Sequence, residues 1–210
     1  MALAVCFLGS LIAIPAVADT FNELTGVAGG AKLLAHLGAV AFCASLQIMI
    51  VDWVYEKPYI PSGVWARFTL VAIIAVALTL QFRTANDSGR EFTTDNADNP
   101  QIVAYLLTYL AFAALAGLEI AVLSAGLAVH SWRERRTASY GLTLVALGGA
   151  SCVAYSISKG GYLIAVQLSH PWRLSTEKAI SSPMAGLYIL FVVIGLCVSL
   201  AGSRGAAVDR

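Results

Sequence analysis

Six long apolar runs constrain the fold of this chain more than any other feature. The hydrocarbon core of a bilayer is about 30 Å thick, so a helix needs about 20 mainly apolar residues to cross it. Hydrophobic residues make up 59% of the 210 residues and charged residues only 12%, whereas soluble domains carry about 25% charged residues. We therefore predict an all-α integral membrane protein with one domain, 1–210. Its bundle of about six transmembrane helices is predicted over residues 2–18, 31–54, 65–82, 101–129, 139–168 and 184–202.

The first run, MALAVCFLGSLIAIPAVAD, has one property of a signal peptide and lacks another. It ends in Ala-Val-Ala, which suits a signal-peptidase site. A signal peptide also begins with a cationic region, but the first cationic residue here is Lys32. We therefore predict that 2–18 is an uncleaved first helix.

Lysine and arginine placement predicts the orientation. With both termini inside the cell, the inner segments carry seven of these cations and the outer segments five. The inner excess rests mainly on the short loop 130–136, HSWRERR, while the outer polar loop 83–100 also carries four acids. We predict an N-in/C-in protein of the cell (plasma) membrane.

Polar side chains inside the apolar runs are the candidate functional residues, because such groups usually face a bundle interior or a wet cavity. At 100° per residue, those on each of the second, fourth and fifth runs share one helix face. The candidates for a polar cavity are Glu119, Lys159, Gln47, His36, Tyr105, Tyr155 and Tyr162.

Depth in the bilayer separates these candidates into two layers. Gln47 and Glu119 lie about four residues inward of their helix centres, roughly 6 Å at 1.5 Å per residue. His36 and Lys159 lie outward of theirs, so an ion pair between Glu119 and Lys159 is disfavoured. We predict an inner layer of Glu119 and Gln47 and an outer layer of Lys159, His36, Tyr105 and Tyr162. Lys159 would serve there as a headgroup anchor or in a vestibule for an anionic group.

Two stretches resemble a group of actinobacterial multi-pass membrane proteins. They are LTGVAGGAKLLAHLGAV, residues 24–40, and Gly141-LTLVALG-Gly149 followed by Tyr155 and Lys159. That family is labelled either as transporters, from topology alone, or as domains of unknown function. The resemblance implies a transporter-like bundle but no catalytic residue and no substrate. Against the family pattern, the chain is shorter by a helix at the N-terminus and by a helical region at the C-terminus.

The rest of the sequence gives little sign of catalysis. The net charge of +1 gives no reason to expect nucleic acid as a partner. No phosphate-loop, zinc-protease or serine-hydrolase motif occurs, so no catalytic residue is assigned. All four cysteines lie in apolar runs without ligand spacing, so we interpret them as packing residues.

The acids of the outer loop are weak metal candidates. Asp87, Asp95 and Asp98 provide the carboxylates that Mg²⁺ prefers. A solvated acidic loop explains them better, so we predict no cofactor, with Mg²⁺ only if the protein is a prenyl-diphosphate enzyme.

Three functions remain open on the sequence. The first is transport or permeation of a small solute, or a membrane regulatory role, supported by the internal polar residues. The second is an embedded enzyme for a lipid or isoprenoid, with Tyr105, Phe112, Glu119, Tyr155 and Tyr162 lining its cavity. The third is a subunit whose polar faces bind a membrane partner or a second copy of the chain.

Overall fold

The structure, a computed structural model, describes residues 11–12, 14–27, 29–86, 92–133 and 136–208, with the main chain alone for 86 and 202–208. Six α-helices and two short 3₁₀ turns account for most of this described part, and it contains no strand. The helices are α1 Pro15–Thr25, α2 Gly30–Val54, α3 Ile60–Asn86, α4 Pro100–Ser131, α5 Arg136–Gln167 and α6 Leu174–Val208.

Five helical stretches among the described residues are long and apolar enough to cross a membrane. They are Gly30–Val54, Lys57–Ala85, Pro100–Ser131, Arg136–Gln167 and Leu174–Ala201. These stretches coincide with the second to sixth predicted spans. The first predicted span, 2–18, lies largely outside the described residues, and its described end belongs to α1, which continues to Thr25.

Two helices begin earlier than predicted. The third begins at Ile60 rather than 65, and the sixth at Leu174 rather than 184. The prediction counted only apolar residues, but Glu177 in the first turn of α6 suits the positive end of the helix dipole. The helix also continues through Pro183, which removes one backbone hydrogen bond and is tolerated in membrane helices.

Glycines allow α4, α5 and α6 to pack closely. A Cβ on Gly149 would lie 2.6 Å from the carbonyl oxygen of Gly117, across the α4–α5 contact. A Cβ on Gly195 would lie 2.6 Å from the carbonyl oxygen of Gly141, across the α5–α6 contact. Small residues at such contacts let membrane helices approach one another. This packing gives a physical reason for the two glycines that bound the stretch Gly141-LTLVALG-Gly149.

The described second half of loop 83–100 packs against the bundle. Phe92 is buried, stacks on Phe82 at 4.8 Å between ring centroids, and contacts the edge of Tyr105. The amide of Gln167 donates to the carbonyl of Ala97 at 2.7 Å. Apolar residues within this polar stretch therefore hold it on the helix ends, although we predicted a solvated loop. Residues 87–91 lie outside the described part.

Candidate functional site

His36 on α2 and Tyr105 on α4 are in direct contact. The Nδ1 atom of His36 and the hydroxyl of Tyr105 are 2.8 Å apart, a hydrogen-bond distance. The ring of His36 also stacks on Tyr109, with 4.4 Å between centroids and 23° between planes. His36 and Tyr105, both predicted for the outer layer, therefore lie together. Tyr109 on α4 joins them, although no sequence pattern singled it out.

A cavity of about 300 Å³ opens beside this histidine. It lies between α2, α4, α5 and α6, close to α1, and is at the small end of the range for ligand pockets. Its polar and aromatic lining consists of Lys32, His36, Phe42, Cys43, Tyr109, Phe112, Cys152, Tyr155 and Tyr188, and most of the remaining lining is alanine. None of the described lining residues is acidic.

Lys159 lies at the edge of the cavity. Its ammonium is 5.4 Å from the ring centroid of Tyr155, which lines the cavity. The charges of Lys159 and Lys32 both act on His36, so the three groups share one electrostatic region. The acid that acts most strongly on Lys159 is Glu177, but no hydrogen bond or ion pair joins these two described side chains.

Of the seven predicted cavity residues, only His36 and Tyr155 line this cavity, and Tyr105 and Tyr162 pack elsewhere. Tyr105 is fully buried and packs against Phe82 and Phe92, so it holds His36 from behind. Tyr162 is buried against Trp172, with 5.7 Å between ring centroids. Of the five residues that the enzyme hypothesis places in a cavity, only Phe112 and Tyr155 line this one.

A second polar cluster lies deeper in the bundle. The amide nitrogen of Gln47 donates to Oε2 of Glu119 at 2.5 Å, which unites the predicted inner layer. The guanidinium of Arg67 on α3 donates to Oε1 of the same carboxylate and forms a salt bridge with it. The Arg67 side chain is 13% exposed and that of Glu119 is 27% exposed. Glu119 thus joins α2, α3 and α4.

Further contacts hold Arg67 in place. Its Nη1 donates to the carbonyl of Gly63 at 2.9 Å, and its Nη2 lies 3.3 Å from the hydroxyl of Tyr55. In the sequence, Arg67 stood out only as a cation near a helix end. An earlier start of α3 would have identified it as a partner of Glu119. Arg67 then lies about six residues before the middle of α3, and Glu119 about four residues after the middle of the antiparallel α4.

Two cysteines meet in the cavity wall. The thiols of Cys43 on α2 and Cys152 on α5 interact with each other, and both residues are buried. Cys43 Sγ is 3.2 Å from the hydroxyl of Tyr188, and Cys152 Sγ is 3.4 Å from the carbonyl of Ala113. Their spacing of 109 residues gave no signal in the sequence, because only the fold brings α2 and α5 to the same cavity.

The loop acids have other surroundings. Asp95 accepts a hydrogen bond from the ammonium of Lys178 at 2.7 Å, and this contact holds the pKa of Asp95 below its usual value. Asp98 is exposed, and Asp87 lies outside the described residues. Within the described part of the chain, no three histidines, cysteines or acids lie together as metal ligands would.

Comparisons with protein-family models, with curated proteins and with solved structures each found no match for this chain. The resemblance to the actinobacterial family therefore stays a prediction. The features of the chain that bear on its function are the cavity, the cations beside it and the Arg67–Glu119–Gln47 cluster.

Proposed function

We propose that this protein binds a small solute in the cavity and carries it across the cell membrane. The observation that carries the proposal is the cavity itself, which lies between four helices of spanning length and beside a fifth, shorter helix. Apolar and aromatic walls with a few polar groups are typical of a site for a small molecule. Polar groups at this depth of a membrane bundle are costly unless they have a use or a partner.

The proposed protein has six spans with both termini in the cytoplasm. The excess of lysine and arginine in the predicted inner segments, seven against five, supports this orientation, and the loop 130–136 carries three of the seven. The N-terminal half of α2, which lines the cavity, then lies on the outer side of the membrane. The proposed entrance for the solute is therefore on the outer side.

The inner polar cluster is the proposed barrier to the inside. Gln47 lies one turn beyond the cavity residue Cys43, and Glu119 lies about two turns beyond the cavity residue Phe112. Leu46 and Ala116, which lie between the cavity and the cluster, are both buried. Release to the inside requires α2, α3 and α4 to separate at the cluster. Transport therefore requires the hydrogen bonds and the salt bridge of Glu119 to break.

Proteoliposome flux tests this function. Glu119→Gln keeps the shape of the side chain and removes the charge that holds Arg67, so we expect the rate of solute flux to change while the protein remains folded. Glu56→Gln is the matched control, since Glu56 is exposed before α3. Size-exclusion chromatography of both variants checks folding. If flux of every solute class tested is the same in both variants and the wild type, this function is wrong.

A further inference from the structure

We infer that the solute is a small organic anion, with an apolar or aromatic body and one carboxylate or comparable negative group. This inference rests on the proposed function and adds the chemical class of the solute. It follows from the sign of the charges at the cavity, from the polarity of the remaining wall, and from the volume.

Positive charge gathers at one side of the cavity. Lys32 lines it, and Lys159 lies directly beside its wall residue Tyr155. The first turn of α2 also contributes to the wall through Ala31, and the N-terminal end of a helix carries partial positive charge. Since no described lining residue is acidic, the potential inside favours an anion over a cation.

The ammonium of Lys159 is available to such an anion. Its one described close contact is with the Tyr155 ring, and no carboxylate accepts a hydrogen bond from it among the described residues. Glu177 accepts a hydrogen bond from Thr94 at Oε2, at 3.4 Å, and no described hydrogen bond joins its carboxylate to Lys159. A flexible lysine beside a cavity can therefore turn its ammonium towards a bound carboxylate.

The other side of the cavity suits an apolar body. Phe42, Phe112 and Tyr188 contribute aromatic surface, and the alanines of α1, α2 and α4 leave room for a flat group. A volume of about 300 Å³ holds a molecule with one ring and a short substituent and excludes a phospholipid with its two acyl chains. The anion is therefore either a free solute or the headgroup of a lipid whose acyl chains stay outside the cavity.

Three compounds with one ring and different charges test this inference. Benzoate is the anion, benzyl alcohol the neutral analogue and benzylamine the cation. Isothermal titration into the protein in phosphatidylcholine nanodiscs, with empty nanodiscs as the blank, should show benzoate binding at least tenfold more tightly than benzylamine. Repeating the titration with phosphatidylglycerol in the nanodiscs separates the two sources, because a lipid headgroup that occupies the site weakens benzoate binding by competition.

Lysine variants locate the binding. Lys159→Gln and Lys32→Gln should each weaken benzoate binding by about tenfold, the loss of one charge-assisted contact, and should leave benzyl alcohol unaffected. Lys57→Gln is the matched control, because Lys57 is exposed in the turn before α3.

The outcomes separate the two proposals. If benzyl alcohol binds as tightly as benzoate, or if the lysine variants bind benzoate normally, the anion inference is overturned while solute transport stands. If none of the three binds but flux of another solute responds to Glu119→Gln, the anion inference again fails alone. If no solute flux responds to Glu119→Gln, transport itself is wrong.

Discussion

Arg67 and Glu119 form a salt bridge between α3 and α4, and Gln47 from α2 completes it on the second carboxylate oxygen. Three helices therefore meet at one carboxylate whose side chain is 27% exposed. This cluster restricts the rotation of each helix about its axis, because the three side chains converge on one carboxylate.

Removing either charge of this pair should destabilise the protein, and removing both should cost less than the sum. Glu119→Gln leaves the Arg67 guanidinium without its acid, and we expect a loss of about 1.5–3 kcal/mol, the range for hydrogen bonds to charged groups. A double-mutant cycle with Arg67→Gln, followed by chemical unfolding in detergent, measures the coupling. A coupling energy near zero would show that the salt bridge does not form in the membrane protein.

Gly149→Ala should destabilise the bundle, whereas Gly126→Ala should not. A Cβ on Gly149 would meet the backbone of Gly117 and Ala121, neither of which can turn aside, and overpacking of this kind costs about 1–3 kcal/mol. A Cβ on Gly126 meets nothing within 4 Å. Thermal unfolding in detergent compares the two variants, and equal midpoints would contradict the α4–α5 packing.

Depth counting along the helices predicted the two polar layers, and the reason is geometric. Helices of known direction in a slab of fixed thickness bring residues of equal depth to one level, so Gln47 and Glu119 meet, as do His36 and Tyr105. The expectation that Lys159 does not pair with Glu119 agrees with the structure, in which Glu119 pairs with Arg67.

The sequence did not predict the contacts that depend on which helix faces lie against each other. The thiols of Cys43 and Cys152 come together only because α2 and α5 both line the cavity, and Tyr162 lies against Trp172 although it shares a helix face with Tyr155. Periodicity gives the face of one helix but not its partner. Glu177 lies before the predicted sixth span, 184–202, yet it is fully buried in α6.

The paired thiols should bind phenylarsine oxide, a reagent that forms two sulfur–arsenic bonds with neighbouring thiols and releases one water. One equivalent per chain is expected, because Cys43 and Cys152 lie side by side in the cavity wall. Native mass spectrometry should show the adduct lost in Cys43→Ser and in Cys152→Ser but kept in Cys197→Ser, whose cysteine is exposed on α6. Persistence of the adduct in both wall variants would place the thiols apart.

Acid should weaken the attachment of the packed loop to α6. The ammonium of Lys178 lowers the pKa of Asp95 below the ordinary value of 3.8, so this contact stabilises the folded state above that value and is lost as the pH falls through the lower folded pKa. The effect is small, because both side chains are 51% exposed. Asp95→Asn should lower the unfolding temperature at pH 7, and the difference from wild type should vanish near pH 2. A difference that persists unchanged in acid would contradict the pairing.

Tyr105→Phe should weaken solute binding without unfolding the protein. The phenol hydroxyl of Tyr105 contacts Nδ1 of His36, while its ring packs against Phe82 and Phe92 and would keep that packing as phenylalanine. Loss of one hydrogen bond of about 0.5–1.5 kcal/mol frees the imidazole to turn away from the cavity. We expect benzoate binding to weaken by a few-fold in Tyr105→Phe and to be unchanged in Tyr162→Phe, whose ring lies against Trp172 and outside the cavity. Equal affinities in the two variants, with equal unfolding temperatures, would mean that His36 is held by its stack on Tyr109 alone.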